Sequence, residues 1–375
     1  MKKIMTVFKQ ETVLCIACIL AVISAFIVPP DAQYLSYIDF RTLGILFCLM
    51  AVMAGLQGIG VFEMLAQRML LKVRNMRQLV PILTMLCFIS SMVMTNDVAL
   101  ITFVPFTFIV LGLVGESEKE RHMIPIVVMQ TVAANLGSML TPIGNPQNLY
   151  LYGKAGISLS DFLLLMLPYT AASAIFLLLF GIFYTRNAHT TLTVKFSQPT
   201  VIQSKRNLIV YLILFVLSLL TVAHKIHYLL ALMIVLLAVL IFDRRTLAKV
   251  DYSLLVTFIG FFVFIGNMGR IPAFRTFLEN MIAGNEAVTA IASSQIISNV
   301  PAALLLSGFT EEYEALIIGT NLGGLGTLIA SMASLISFKY IARENAACKG
   351  RYLLYFTVVN LVFLALLTAL YFLIA

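Results

Sequence analysis

Apolar segments recur along the whole chain, at about 12–29, 41–60, 79–112, 122–153, 161–185, 206–223, 228–242, 252–268, 286–308, 312–341 and 352–374. They are continuous rather than alternating, which predicts helices and not barrel strands. Inside a bilayer every backbone group must be satisfied internally, and a helix does this within one segment. The expected fold class is therefore all-α, a polytopic membrane protein. Two segments carry a polar break in the middle, Thr95-Asn96-Asp97 in 79–112 and Ser298-Asn299-Val300-Pro301 in 286–308. Both predict re-entrant hairpins, which leaves nine crossings. At 23 residues the second is too short for two spans of about 20 each. At 34 residues the first leaves that choice open.

Composition fits this picture. Of 375 residues, 61% are hydrophobic and 11% charged, against roughly 25% charged in soluble domains, which excludes a soluble enzyme. The net charge of +8 is read as cytoplasmic loops facing anionic lipid, with no nucleic acid partner, because no recognition motif is present. With the N-terminus placed in the cytoplasm, 20 of the 25 Lys and Arg fall in inside loops. Arg41, Lys154, Lys225, Arg270 and Arg275 fall outside. The expectation is a multi-pass protein of the plasma membrane with its C-terminus outside. Lys2 and Lys3 imitate a signal peptide, but Pro29-Pro30 follows without a small-x-small cleavage site, so this stretch is read as the first span. Cys15 and Cys18 form a C-x-x-C inside an apolar run and are read as buried small residues. His122, His189, His224 and His227 fall in loops or at span ends, and H-E-x-x-H, G-x-S-x-G and G-x-x-x-x-G-K are all missing. An enzyme is not expected, nor direct use of ATP. A channel would share the broken helices and lack stoichiometric coupling to an ion gradient.

An internal repeat organises the chain. Asn135 to Asn145 matches Asn321 to Ser331 at a constant offset of 186, with Asn, Leu, Gly, Thr and Ile identical. Each copy follows a tip containing Asn96 or Asn299, and each unit opens on Asp39-Phe40 or Asp251-Tyr252. The first unit begins outside and the second inside, so the repeats are predicted to be inverted, with the binding site where they meet. The halves are 1–185 and 207–375, joined by a cytoplasmic linker at 186–206 in which Thr190 to Phe196 suits a short extended piece.

Glycine, proline, asparagine and threonine at mid-membrane depth free backbone groups, which is tolerable only where protein or a water-filled cavity satisfies them. The expected unwound stretches are Asn135–Asn148 and Thr320–Ser331, converging with both tips on one site. The candidates at the tips are Thr95, Asn96 and Asp97, and Ser298, Asn299, Val300 and Pro301. In the first broken helix they are Asn135, Gly137, Thr141, Pro142, Gly144, Asn145, Pro146 and Asn148. In the second they are Thr320, Asn321, Gly323, Gly324, Thr327 and Ser331. Na⁺ is expected at Asn96 and Asn299 with freed carbonyls near Gly137 and Gly323, and helix ends at Gly144–Asn145 and Thr327–Ser331 face the substrate. Asp97 is the one acid placed deep in the membrane, where a carboxylate must pair, bind a cation or take a proton. Gly55, Gly58 and Gly60 are read as packing, and Glu63 with Arg68 as interfacial.

The Thr-Asn-Asp tip followed by Val98-Ala99-Leu100, the run Thr141-Pro142-Ile143-Gly144-Asn145-Pro146-Gln147-Asn148-Leu149, the Ser-Asn-Val-Pro tip and Asn321-Leu322-Gly323-Gly324 resemble the ion transporter superfamily. The likeness runs over nearly the whole chain and is strongest to the arsenite-permease, NhaD-type antiporter and citrate-transporter-like branch. It implies an elevator-type secondary transporter and a homodimer, with a moving domain that carries hairpins and broken helices past a scaffold. Where the sodium–dicarboxylate branch reads Ser-Asn-Thr at both tips, this chain has Asp97 and Val300 in third position. An ionised Asp97 would repel a dicarboxylate unless a proton or cation accompanies it. The expected function is a permease for a small anion or oxyanion, carboxylates included, coupled to H⁺ or Na⁺ with no other cofactor. Arsenite or antimonite efflux and Na⁺/H⁺ antiport are the alternatives.

Overall fold

A computed structural model describes residues 11–71, 73–187 and 200–374, and within them the regular structure is helical with no strand. The extended piece expected at Thr190 to Phe196 lies outside the described residues. In the first half α1 (Thr12–Ile27) is followed by α2 (Phe40–Gly58) and the amphipathic α3 (Val61–Leu70). The first hairpin is α4 (Met76–Ser91) and α5 (Asn96–Val114), and then come α6 (Glu116–Gly137), α7 (Pro146–Ala155) and α8 (Leu159–Thr185). The second half has α9 (Lys205–Val222), α10 (Tyr228–Asp243), α11 (Tyr252–Gly269) and the amphipathic α12 (Pro272–Ile282). Its hairpin is α13 (Glu286–Ile297) and α14 (Asn299–Leu306), followed by α15 (Tyr313–Leu322), α16 (Met332–Glu344) and α17 (Lys349–Ile374).

Among the described residues, seven helices are long and apolar enough to cross a membrane: α2, α5, α6 with its extension to Leu140, α8, α9, α11 and α17 with its leading turn. The chain is a multi-pass membrane protein. The two hairpins differ in size. With 12 and 8 residues, α13 and α14 cannot each cross a core of about 30 Å. The 19 residues of α5 reach about 28 Å, so the first hairpin has one arm of spanning length.

Several boundaries depart from the sequence expectation for local reasons. The segment expected at 122 begins at Glu116, because Glu116 and Glu118 in its first turn complement the positive end of the helix. The linker expected to end at 206 ends at Ser204, whose side chain accepts from Asn207 N and caps α9. Cys18 is exposed and Cys15 only half-buried, because α1 packs chiefly against α11 and leaves its other face outward. The two units open alike. Asp39 accepts from Thr42 N, and Asp251 accepts from Leu254 N, with nearly identical backbone angles (φ −80°, ψ 83° and φ −79°, ψ 82°).

Packing separates two sets of helices. One joins α1 to α11 and α2 to α9 and α10. The other wraps α4 and α5 on α6, α13 and α14 on α15, and ties the halves together through α5 with α16 and α7 with α15. The four helix interruptions lie in the second set.

Candidate functional site

The breaks are shorter than expected. Asn135 and Gly137 are helical, the backbone unwinds only from Thr141 to Asn145, and Pro146 and Asn148 already belong to α7. In the second half Thr320 and Asn321 are helical, and unwinding runs from Gly323 to Ser331. Asparagine reads as a helix breaker in sequence, but here the carboxamides of Asn135 and Asn321 bond across to other elements, and the helix survives beneath them. Gly137 stays within the helix, and α6 approaches the hairpin there so closely that any Cβ would overlap the Phe88 carbonyl oxygen. A Cβ on Gly323 would lie 2.7 Å from Ser294 Oγ. Both glycines serve close packing, and the Gly323 carbonyl already accepts from Gln295 Nε2 at 2.9 Å.

Each tip is bound to the break of its own half by the same hydrogen bonds. Asn96 N–H donates to the Gly144 carbonyl at 3.2 Å, and Asn299 N–H to the Ala330 carbonyl at 2.9 Å. The Oδ1 of each Asn accepts the next backbone N–H, from Asp97 at 2.9 Å and Val300 at 3.0 Å. Thr141 Oγ1 donates to the Met92 carbonyl at 2.6 Å, and Thr327 Oγ1 to the Gln295 carbonyl at 3.0 Å. The break residues in these pairs stand 186 positions apart and the hairpin residues 203 apart. Contacts across the halves follow the same rule: Ser331 Oγ donates to Asn135 Oδ1 at 3.0 Å, and Asn145 Nδ2 approaches Asn321 Oδ1 at 3.5 Å. Asn96 Nδ2 donates to Asn135 Oδ1 at 2.9 Å, and Asn321 Nδ2 to Asn148 Oδ1 at 2.6 Å. These buried carboxamides satisfy one another, as polar groups out of water must.

The candidates do not all meet. Asn96, Asp97, Asn145, Pro146, Asn299, Val300 and Ser331 surround one small void of about 10 Å³, together with Gln147, Leu254, Met332 and Ala333. Thr95, Asp97, Asn145 and Pro146 also border a larger cavity of about 150 Å³, shared with Gln57, Lys249, Asp251 and apolar residues of α2. Ser298 and Pro301 are buried behind the second tip, and Thr320 turns its hydroxyl to the Leu316 carbonyl at 2.7 Å. Pro142 and Gly144 shape the first break, Gly324 the second, where its N–H donates to the Asn321 carbonyl. The void lies where four helices begin, α5, α7, α14 and α16.

Residues 4–312 match the family described as citrate transporter. The chain belongs to that family. An uncharacterized transporter of Methanocaldococcus jannaschii is 33% identical over 334 residues, covering 88% of this chain and 89% of its own length. An inner membrane protein of Escherichia coli is 32% identical over 309 residues, 80% of each chain. A silicon efflux transporter of Oryza sativa subsp. japonica is 33% identical over 142 residues, 38% of this chain and 28% of its own length. This member of the citrate transporter family is thus a membrane transporter.

Sequence reasoning missed four contributors in this citrate transporter family chain. Gln147 is fully buried at the second position of α7 and lines the void. Lys249 and Asp251 bring charge to the larger cavity from the stretch before α11. Gln295 holds the second break together, donating to the Gly323 and Leu325 carbonyls and accepting from Thr327 N. Gln147 lies within Thr141 to Leu149, but its counterpart 186 positions on is Ala333, so the repeat does not mark it.

Proposed function

We propose that the protein is a secondary transporter of a small anion or oxyanion, coupled to H⁺ or Na⁺ by alternating access. The observation that carries this reading is the convergence of four helix N-termini on one small void lined mostly by buried residues. Each helix start presents the positive end of its dipole, so the void favours negative charge or oxygen-rich groups. Asp97 brings a fixed carboxylate to the same place, and a second anion beside it calls for a proton or cation. Asp97 is the coupling group in this reading. Matching hydrogen bonds at offsets of 186 and 203 support two inverted repeats. The segregation of tips and breaks into one helix set supports a moving body beside a scaffold of α1, α2 and α9–α11. The charge distribution supports a cytoplasmic N-terminus and an outside C-terminus.

A second reading, efflux of an uncharged oxyacid, draws on the silicon efflux relative and on cavity size. A cavity of about 150 Å³ matches one that holds benzene, and citrate has roughly twice as many heavy atoms.

The test is the thermal stability of the purified protein against citrate, phosphate, arsenious acid and orthosilicic acid, each in Na⁺ and in choline buffer at two pH values. A ligand at about 100 times its dissociation constant stabilises by roughly 2.7 kcal/mol. An anion shift that requires Na⁺ or low pH supports coupled anion transport, and a shift from the oxyacids alone supports the second reading. A shift with Na⁺ or pH and none from any solute turns the assignment to cation/proton antiport. No shift with any solute, Na⁺ or pH removes the site.

A further inference from the structure

Three buried side-chain atoms at the central void have no hydrogen-bond partner among the described residues: Asp97 Oδ1, Gln147 Oε1 and Gln147 Nε2. Gln147 is 0% exposed, so neither end of its amide reaches solvent. Fully buried amides left unpaired at both ends are rare in folded proteins and call for an explanation. The walls of the void are unequal. Asn96 faces a like residue in Asn299, but the counterpart of Asp97 is Val300 and that of Gln147 is Ala333, with Met332 opposite Pro146. The three unpaired atoms belong to Asp97 and Gln147 of the first half, and Val300 and Ala333 at the corresponding positions are apolar.

We propose that Gln147 is the specificity-determining residue of this transporter, reading with Asp97 one face of the substrate opposite Val300, Met332 and Ala333 of the second half. The inference rests on the reading of the void as the substrate site. Ionised Asp97 accepts, and the Gln147 amide offers one acceptor and one donor group. The complementary ligand gives two O–H hydrogens and takes one hydrogen bond, which describes a hydroxylated oxyacid that keeps its protons. A cation would use the two oxygens and leave Gln147 Nε2 unpaired. A fully ionised carboxylate would engage Nε2 and bring no hydrogen to either acceptor. At about 10 Å³ the void admits one water-sized group. It shares Asp97, Asn145, Pro146 and Leu254 with the 150 Å³ cavity, so one hydroxyl seats in the void against Gln147 while a second meets Asp97 from the cavity that holds the body.

The experiment compares the full-length wild type with Gln147→Met and Gln147→Glu, using arsenious acid, orthosilicic acid and citrate as probes and melting temperature as readout. Gln147→Met keeps the shape and removes both unpaired atoms. It is expected to melt at or above the ligand-free wild type and to lose at least tenfold in oxyacid affinity. Gln147→Glu replaces the donor by an acceptor and is expected to weaken the oxyacids as well. If Gln147→Met melts lower than wild type without ligand, or keeps the wild-type oxyacid shift, the proposal is overturned. It is also overturned if Na⁺ alone stabilises wild type and Gln147→Met abolishes that shift. Anion binding that is unchanged by Gln147→Met sinks this inference and leaves the transporter reading standing, whereas a wild type blind to every solute, Na⁺ and pH sinks that reading itself.

Discussion

The hairpins ending at Thr95-Asn96-Asp97 and Ser298-Asn299-Val300 share three hydrogen bonds, yet they reverse the chain by different means and carry different chemistry. The first tip spreads its reversal over Met92 to Thr95 without a left-handed residue. The second turns at one residue, Ser298, at φ 74° and ψ 155°, a region essentially reserved for glycine. Holding a serine there costs of order 1–3 kcal/mol, offset by bonds on either side, Ser298 N–H to the Ser294 carbonyl and Asn299 N–H to the Ala330 carbonyl. The difference teaches that the bonds tying tip to break are shared between the halves while the turn and the polar side chains are not. The first tip brings Asp97 to the void and the second brings Val300.

The frame breaks most severely at the glycines beneath the tips. Gly137→Ala drives its Cβ into the Phe88 carbonyl, a backbone atom that cannot swing aside. Its cost is expected to exceed the usual ~1–3 kcal/mol of overpacking, seen as loss of monodisperse protein on purification. Gly323→Ala meets Ser294 Oγ at 2.7 Å and the Gly319 carbonyl at 2.8 Å, and is expected to fold with a lowered melting temperature. Equal damage at both positions would contradict the closer approach in the first half. The chemistry separates at the third tip residue. Asp97→Asn is expected to keep the fold and reduce the pH or Na⁺ dependence of ligand stabilisation at least tenfold, by about 1.4 kcal/mol or more. Val300→Ala should leave that dependence in place. Coupling that survives Asp97→Asn removes this residue from the mechanism.

What could be read in the chain beforehand was whatever the membrane itself makes conspicuous. Asn96 and Asn299 interrupt apolar runs, and the Gly/Thr stretches at 186 positions apart repeat their letters, so tips and breaks were visible. The length of the breaks was not, because the partners that tie Asn135 and Asn321 to other elements are 39 and more positions away. Without those partners, both asparagines look like places where a helix ends. Gln147 was hidden for the opposite reason, since it has no like residue in the other half. Lys249 and Asp251 join the cavity only through folding, because nothing in the loop before α11 announces that it returns to the first tip.

Smaller substitutions test how evenly the frame is shared. Asn135→Ala removes the oxygen that accepts from Asn96 Nδ2 and Ser331 Oγ, and leaves both donors buried. Unpaired buried groups cost about 1–3 kcal/mol each, so a drop of several degrees in melting temperature is expected. Asn321→Ala deprives Asn148 Oδ1 of its donor and should cost about half as much. The smallest effect belongs to the threonines that bind the hairpins from the breaks. Thr141→Val loses the 2.6 Å bond to the Met92 carbonyl at a half-buried position and is expected to cost about 1 kcal/mol. Thr327→Val loses the equivalent bond to the Gln295 carbonyl, but Thr327 is exposed and water can replace its hydroxyl there. Its cost should stay below half of that, and chemical denaturation of the two variants side by side measures the ratio. A Thr327→Val cost equal to that of Thr141→Val would mean that water does not reach the second break, and that the two halves are matched in burial as well as in hydrogen bonding.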